Sequence, residues 1–117
     1  MNFKELAERK GVIGAGIFDT NGKLIKYYTK SLSPEQADST ALLCGVIYTL
    51  LNSIGSVYSR FCGIKFQPII KITIESLDFS LTIKCLDKGC IGIIYNMNEI
   101  KVQEIEEIAE RMVESIE

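Results

Sequence analysis

The chain has 117 residues, of which 47% are hydrophobic and 24% charged, a composition typical of a compact globular domain. This composition excludes a disordered or collagen-like chain, and we expect a single domain over residues 1–117 with one buried core. The formal net charge is −2 and the lysines and arginines are scattered, which excludes the basic surface that nucleic-acid binding requires.

Residues at helical spacing predict a short first helix. Phe3, Leu6, Ala7 and Lys10 recur at this spacing, and Gly11 marks the end of the helix. Charged residues are frequent in this segment, which contains no apolar run of the length that a signal peptide needs. We therefore expect the protein in the cytoplasm.

The next stretch, GVIGAGIFDTNGKLI, is rich in glycine and is typical either of a phosphate-binding loop or of a bend between strands. A Walker loop needs a Ser or Thr after its lysine and a shorter spacing than the five residues between Gly16 and Gly22, and a leucine follows Lys23. A dinucleotide fingerprint fails as well, because Asp19 stands where the third glycine belongs. We therefore reject a phosphate-binding loop.

The same stretch predicts a β-hairpin. Residues 12–19 and 23–29 are strand-like, and Thr20-Asn21-Gly22 between them contains the Asn-Gly pair that favours a tight turn. Gly14 and Gly16 are two positions apart and so lie on one face of the first strand, where they leave space for a helix to pack closely.

A long helix is predicted to begin at the sequence Ser-Pro-Glu-Gln, residues 33–36. The serine is a good N-cap, the proline suits the first turn, and the glutamine completes a capping box. The helix is predicted to run to about Arg60, and no charged residue occurs from Ser39 to Ser59. A membrane span is the alternative, but the hydroxyl and amide side chains that interrupt this segment argue against one.

Two apolar stripes follow this helix, both at helical spacing. The first consists of Leu43, Ile47, Leu50, Ile54, Val57 and Phe61. The second consists of Ala37, Ala41, Cys44, Tyr48, Leu51, Gly55 and Tyr58. One stripe is enough to pack on a sheet, so the second requires another surface, and the same helix of a second copy is the simplest candidate.

Three more strands are predicted after the long helix. Apolar residues alternate with polar ones over Gln67–Ser76 and Phe79–Leu86, and a third run covers Cys90–Asn96. The links at Leu77-Asp78 and Asp87-Lys88-Gly89 are short, so these strands form an antiparallel meander.

A last helix is predicted to begin at Asn98 or its neighbour. Its apolar stripe consists of Val102, Ile105, Ala109, Met112 and Ile116. Its polar side consists of Glu104, Glu107, Arg111 and Glu114.

The four cysteines give no sign of a metal site. Cys44, Cys62, Cys85 and Cys90 form no CxxC pair. A Cys85–Cys90 bridge would span a hairpin, but without an export signal we expect reduced thiols.

The groups that catalysis requires are missing from the sequence. There is no histidine, the most common general base and metal ligand. Asp19, Asp78 and Asp87 are at strand ends beside turns, where aspartate usually bonds its own backbone. We therefore predict that the protein is not an enzyme and has no catalytic residue, cofactor or metal.

Taken in order, these elements resemble the roadblock (dynein light chain) family of the roadblock and longin superfamily. The resemblance covers the whole chain and rests on GVIGAGIFDTNGKLI, SPEQADSTALLCGVIYTLL and IKITIESLDFSLTIKCLDKGCIGIIY. It implies an α+β fold, an α/β/α sandwich of roadblock-like or profilin-like type, with a five-stranded antiparallel sheet in the order 2-1-5-4-3. The long helix is expected on one face of the sheet and the two terminal helices on the other.

The resemblance also implies a homodimer in which the third strand pairs with its copy and the long helices pack together. The predicted interface consists of Tyr48, Leu51, Asn52, Gly55, Tyr58, Ile70, Ile72 and Ile74. Family members are non-catalytic platforms that bind small Ras-like GTPases, sometimes stimulating hydrolysis, or tether motor and membrane complexes. A GTPase contact is therefore predicted at Glu35, Asp38, Asn52, Ser56 and Arg60.

A second interpretation is a small-molecule-sensing domain of longin-like or PAS-like architecture. Its ligand would lie between the sheet and a helix, in a pocket lined by Gly14 and Gly16. A stable dimer that binds a GTPase would favour the first interpretation, and a retained metabolite would favour the second.

Overall fold

The computed structural model describes residues 3–19, 21–86 and 89–114. Its helices and strands are α1 Phe3–Ala7, β1 Val12–Phe18, β2 Leu24–Thr29, α2 Pro34–Cys62, β3 Lys71–Glu75, β4 Ser80–Leu86, β5 Gly89–Tyr95 and α3 Val102–Glu114. The strands form a five-stranded sheet in the order β2-β1-β5-β4-β3, and every neighbouring pair is antiparallel. This confirms the predicted fold class and strand order.

The turn between β1 and β2 is held by an aspartate side chain. Asp19 Oδ1 accepts hydrogen bonds from the backbone N–H groups of Asn21 and Lys23, each at 2.9 Å. Gly22 has a φ of 86°, a left-handed conformation that glycine adopts without steric cost. The predicted hairpin and the structural role of Asp19 are confirmed. Thr20, which was also assigned to this turn, lies outside the described residues.

The start of α2 is the predicted capping box. Ser33 Oγ accepts a hydrogen bond from the Gln36 N–H at 3.1 Å, and Gln36 Oε1 accepts one from the Ser33 N–H at 2.9 Å. Gly63, with a φ of 69°, caps the other end. The helix runs to Cys62, two residues beyond the predicted end at Arg60.

The sheet has a separate apolar core on each face. α1 and α3 cover one face, where the buried residues include Leu6, Val12, Ile93, Tyr95 and Ile105. α2 covers the other face, where the buried residues include Phe18, Ala41, Cys44, Ile83 and Cys90. This confirms the predicted placement of the long helix opposite the two terminal helices.

The segment between α2 and β3 differs from the prediction. The alternating pattern predicted a strand from Gln67, but β3 begins only at Lys71. Residues 63–70, which we call the connector, instead run back along the C-terminal half of α2. The next two strands begin and end within one residue of their predicted bounds.

Two side chains of α2 hold the connector in place. The backbone N–H of Ile69 donates to Asn52 Oδ1 at 2.8 Å, and that of Phe66 donates to Ser59 Oγ at 2.7 Å. A strand would have needed these backbone groups for its own pairing. Because helix side chains bind them instead, the strand starts late.

α3 begins at Val102, later than the predicted cap at Asn98. Asn98 belongs to the preceding turn, where its N–H donates to Asn96 Oδ1 at 2.9 Å. Of the predicted apolar stripe, the buried members are Ile105, Ala109 and Met112. Ile116 lies outside the described residues, as do Asp87 and Lys88 of the predicted β4–β5 turn.

Cys85 and Cys90 are joined by a disulfide, whereas the sequence favoured reduced thiols. They lie directly opposite each other in the β4–β5 register, and their Cα atoms are 4.1 Å apart. Both side chains are buried. This register brings the two sulfurs within bonding distance. The absence of an export signal, on which the expectation of reduced thiols rested, gives no information about such a local contact.

Reduction of this disulfide is expected to lower the free energy of unfolding by about 2 kcal/mol, because the bond closes a short loop in the unfolded chain. The measurement is the urea unfolding midpoint with and without dithiothreitol. The midpoint of a Cys85→Ala/Cys90→Ala variant should not respond to the reductant. A wild-type midpoint that stays unchanged after both thiols have been titrated would contradict this contribution.

Candidate interaction surface

α2 presents a long apolar face to solvent. Its members are about half exposed, except Phe61, which reaches 81%. They are Leu42, Leu43, Val46, Leu50, Ile54, Val57 and Phe61. We call this set the outer face of α2. A contiguous apolar surface of this extent on a folded domain marks an interaction site.

α2 is also long and apolar enough to cross a membrane, with a mean hydropathy of 1.6 over its most apolar window. Length and composition are the only support for such a span. Ala41 and Cys44 of this helix are packed on the sheet, so α2 is one layer of the domain.

The structure reverses the expected roles of the two apolar stripes of α2. The buried residues of the helix are Ala37, Ala41, Cys44, Gly45 and Gly55. All but Gly45 belong to the stripe that the sequence analysis assigned to a second copy. The stripe that begins at Leu43 supplies most of the outer face instead. The reason is side-chain size, because small residues let the helix backbone approach the bulky side chains of the sheet.

Three of the residues predicted at the dimer interface are engaged within the chain. Tyr48 packs against the core beneath α2. Asn52 Oδ1 binds the connector, and its Nδ2 donates to the Tyr48 carbonyl at 3.0 Å. Gly55 is covered by the connector, since a Cβ added there would lie 3.2 Å from the Phe66 carbonyl oxygen. These contacts leave the three residues little surface for a partner.

The other predicted interface residues keep more accessible surface. Tyr58 is 45% exposed and Leu51 is half-buried. Ile70, just before β3, and Ile74 within it are exposed, whereas Ile72 packs partly against the core. The contact with a second copy stays a prediction, and the helix residues with the most free surface are those of the outer face.

The residues predicted to contact a GTPase lie along the whole of α2. Glu35 and Asp38 are exposed near its start, and Arg60 is exposed in its last turn. The helical rise places Glu35 and Arg60 about 38 Å apart. Ser56 is half-buried, and Asn52 is bound within the chain. One chain therefore does not bring these residues together, and their role stays a prediction.

A close contact between α2 and the first hairpin was missed by the sequence analysis. A Cβ added at Gly45 would lie 2.4 Å from both the Cα and the N of Gly22 in the β1–β2 turn. The backbones of the helix and the turn therefore touch, which needs a glycine on each side. A glycine inside a helix costs about 1 kcal/mol relative to alanine, so Gly45 itself was the available signal.

A small apolar cleft separates the N-terminal half of α2 from β1 and β2. Its volume is about 40 Å³, and its walls include Gly14, Gly16, Tyr27 and Cys44. An engineered cavity that binds benzene is larger, at about 150 Å³. The small-molecule interpretation placed a ligand here, and this cleft is much smaller than that cavity. A Cβ at Gly14 would lie 3.2 Å from Leu32 Cδ1, so this glycine serves close packing.

Cys44 lies beside this cleft and is almost fully buried. Burial raises the pKa of its thiol to about 12. The thiol is therefore protonated at neutral pH, and it packs as a small apolar side chain rather than acting as a nucleophile. Cys62, at the end of α2, is exposed.

The stability of the protein is expected to fall as the pH rises above about 9. The unfolded thiol of Cys44 ionises near its ordinary pKa of 9.0, whereas the folded thiol stays neutral up to about 12, so its stabilising contribution is lost between these values. Urea unfolding from pH 7 to about pH 10 measures the slope. A Cys44→Ala variant should show a shallower slope, and an identical slope in both proteins would contradict this assignment.

A series of polar contacts crosses the opposite face of the sheet beneath α3. Glu106 binds Lys71 Nζ at 3.1 Å and Thr73 Oγ1 at 3.3 Å. Thr73 Oγ1 lies 3.3 Å from Thr82 Oγ1, which lies 2.9 Å from the Tyr95 hydroxyl. Burial is the main cause that raises the pKa of Tyr95. These contacts connect Tyr95 in the buried core with Lys71 and Thr73 of the edge strand β3.

Metal binding has no support in the described ranges. Within residues 3–19, 21–86 and 89–114, no group of three His, Cys, Asp or Glu side chains is placed to hold a metal ion.

Solved structures with the same fold are known. The Roadblock/LC7 domain from Streptomyces avermitilis superposes with a TM-score of 0.82 at 16% identity, over 97% of this chain and 90% of that one. A structure described as MglB with tetrameric arrangement gives 0.75 at 11% identity, over 97% and 82%. The gliding protein MglB from Thermus thermophilus gives 0.73 at 12% identity, over 97% and 84%.

Comparison by sequence gives the family. No curated protein matches the chain. A family model described as "Uncharacterized conserved protein (DUF2173)" matches residues 2–111, which is most of its length. The chain therefore belongs to the DUF2173 family, and its domain has the roadblock fold.

Proposed function

We propose that this protein is a non-catalytic, homodimeric platform that binds and regulates a small Ras-like GTPase. The observation that carries the proposal is the uncharged outer face of α2, which a monomer would leave in water. The roadblock fold supports the proposal, since binding of small GTPases is what the resemblance to the roadblock family implies. One similar structure, of MglB, has a tetrameric arrangement, so that protein assembles on this fold.

In the proposed dimer, the outer face of α2 and the free edge of β3 are buried together. Ile70 and Ile74 lie on the same side of the sheet as Ile72, which packs towards α2. They therefore extend the apolar surface of the helix towards the edge strand. Removing this surface from water favours association by roughly 25 cal/mol per Å² of apolar area, from which the entropic cost of bringing two chains together is subtracted.

A dimer also gives the charged residues of α2 a common location. A two-fold axis through the β3 edge, perpendicular to the sheet, is also perpendicular to the helices. The two copies of α2 are therefore antiparallel. Glu35 and Asp38 of one copy then lie at the same end of the helix pair as Arg60 of the other copy. This composite surface, with charges of both signs, is the GTPase contact that we propose.

The proposed role requires no catalytic group from this chain. Arg60 belongs to the last turn of a helix, unlike an arginine that an activating protein inserts into a GTPase from a loop. Any effect on hydrolysis would come from repositioning the residues of the GTPase itself.

The test combines the mass of the protein with GTPase binding. Light scattering at micromolar concentration should give about twice the chain mass of 13.1 kDa. Isothermal titration should then show that a small Ras-like GTPase from the source genome binds differently when loaded with GDP or with a non-hydrolysable GTP analogue.

A Glu35→Lys/Asp38→Lys variant provides the control, because both residues are exposed and outside the proposed dimer contact. It should keep the dimer mass and lose GTPase affinity. A strictly monomeric wild type, or equal affinity for the two nucleotide states, would overturn the proposal.

A further inference from the structure

The backbone direction of β3 is fixed by its pairing with β4. The Ile70 carbonyl accepts a hydrogen bond from the Cys85 N–H at 2.9 Å, and the Ser76 N–H donates to the Phe79 carbonyl at 2.9 Å. In an antiparallel pair, the backbone groups of alternate residues point the same way. The even-numbered residues from 70 to 76 therefore direct their N–H and C=O groups towards β4.

The odd-numbered residues of β3 consequently form the free edge of the sheet. The N–H and C=O groups of Lys71, Thr73 and Glu75 point away from β4 and are available to another strand. The side chains of these residues lie on the α3 side of the sheet, where Lys71 and Thr73 bind Glu106. The isoleucines between them lie on the α2 side, where Ile72 packs against the core.

A second copy can extend the sheet through a two-fold axis perpendicular to it, which presents the same edge in antiparallel orientation. Each position of the axis along the strand defines one register. With the axis at Thr73, residue 71 of each copy faces residue 75 of the other. All three free-edge residues are then paired, and each pair exchanges two N–H···O bonds.

Other registers leave free-edge residues without a partner strand. An axis nearer the start of β3 would set them against Ile69, whose N–H is already bound to Asn52 Oδ1 at 2.8 Å. An axis nearer the end would set them against Leu77, which lies in the turn after β3. The register centred on Thr73 therefore keeps the most backbone hydrogen bonds.

Charge favours the same register. An axis at Thr73 places Lys71 of each copy opposite Glu75 of the other, which gives two pairs of opposite charge by symmetry. An axis at either charged residue would instead set two like charges face to face. Within one chain Lys71 Nζ already lies 3.1 Å from Glu106 Oε2, so in the dimer the lysine would be shared between Glu106 and Glu75 of the other copy.

We propose that the β3 edges of two copies pair in the register centred on Thr73, and that Lys71 and Glu75 select a second copy of this chain as the partner. The proposal rests on the homodimer of the proposed function and adds its register and its selectivity. In a mixed dimer with a chain whose edge strand has another order of charges, Lys71 or Glu75 would face a like charge or an uncharged residue.

Charge reversal tests the selectivity. A Glu75→Lys variant places Lys71 opposite a lysine at both ends of the strand pair, and its dimer dissociation constant should rise about tenfold at low salt. Lys71→Glu should have a similar effect. Mixed in equal amounts, the two variants should form a heterodimer tighter than either variant homodimer, because every pair across the two-fold axis again has opposite charges.

Two matched proteins complete this experiment. Glu75→Gln removes the attraction without adding repulsion, so its effect should be smaller than that of Glu75→Lys. The double variant Lys71→Glu/Glu75→Lys should dimerise with itself more tightly than either single variant, because its pairs across the two-fold axis again have opposite charges, although the new carboxylate at position 71 faces Glu106. Native mass spectrometry of differently tagged chains measures the ratio of homodimer to heterodimer in each mixture.

Cysteine crosslinking tests the register directly, in a Cys62→Ser background that removes the exposed thiol. Thr73→Cys should crosslink to its copy on mild oxidation, since facing Cα atoms in a hydrogen-bonded pair are about 5.5 Å apart. Glu75→Cys should not, because its copy would be four residues away along the strand, about 13 Å.

The outcomes separate this proposal from the proposed function. A wild-type dimer in which Glu75→Cys crosslinks and Thr73→Cys does not would overturn the register and leave the platform role standing. Charge-reversed variants that mix without preference for the heterodimer would overturn the selectivity. A monomeric wild type would overturn both proposals.

Discussion

Replacement of Gly45 by alanine is expected to lower the free energy of unfolding by about 3 kcal/mol, at the upper end of the usual range for overpacking. The added Cβ would lie 2.4 Å from two backbone atoms of Gly22, far inside van der Waals contact. Backbone atoms cannot rotate away as a side chain can, so α2 must lift from the β1–β2 turn. This loss should appear although alanine is the better helix former by about 1 kcal/mol. Urea unfolding measures the difference.

Two other glycines of this region provide matched controls. Gly55→Ala should be nearly neutral, because its Cβ would lie 3.2 Å from the Phe66 carbonyl oxygen and the gain in helix propensity offsets a small shift. Gly63→Ala meets no atom within 4 Å, but its φ of 69° should cost about 1 kcal/mol. If Gly45→Ala proved no less stable than Gly55→Ala, the contact between helix and turn would not be close.

The double variant Leu50→Glu/Ile54→Glu is expected to weaken the dimer at least about a thousandfold, since both changes occur in each of the two chains. Each residue lies in the centre of the outer face, and truncating such an anchor commonly costs about 2 kcal/mol of binding free energy. Leu50 is 56% and Ile54 54% exposed within one chain, so the change should leave the fold of each chain intact. Sedimentation velocity over a concentration series measures the dissociation constant.

Ile25→Glu is the control for this variant. Ile25 is 63% exposed but lies on β2, at the opposite edge of the sheet from β3. It should leave the dimer unchanged. Dimers of equal stability in the control and the Leu50→Glu/Ile54→Glu variant would show that the outer face is not the contact.

Local patterns in the sequence were sufficient to predict most of the fold. The hairpin followed from the Asn21-Gly22 pair between two strand-like runs, and the start of α2 followed from the capping box at Ser33. These signals act over a few residues, so no knowledge of the tertiary structure is needed to interpret them. The strand order came from the family resemblance, since a pattern within single strands does not specify which strands are neighbours.

The orientation of α2 was the main failure at the candidate site. Both of its stripes are apolar, so hydrophobic spacing predicts two buried faces without saying which one meets the sheet. The informative property was size, because Ala41 and Cys44 allow close packing where Leu43 and Leu50 do not. Size becomes decisive only once the bulky side chains of the opposing sheet are known.

The connector and the disulfide were also beyond a local analysis. The residues before Lys71 alternate like a strand, but Asn52 and Ser59 of α2 bind their N–H groups across seventeen and seven positions of the chain. Cys85 and Cys90 meet because the β4–β5 register sets them opposite each other. Both outcomes depend on contacts between elements.

The side-chain amide of Asn52 joins α2 to the segment that precedes β3. Its Nδ2 donates a hydrogen bond to the Tyr48 carbonyl within α2, and its Oδ1 accepts one from the N–H of Ile69, two residues before β3. One side chain therefore fixes the middle of α2 against the segment that leads into the edge strand, and losing it would free that segment from the helix.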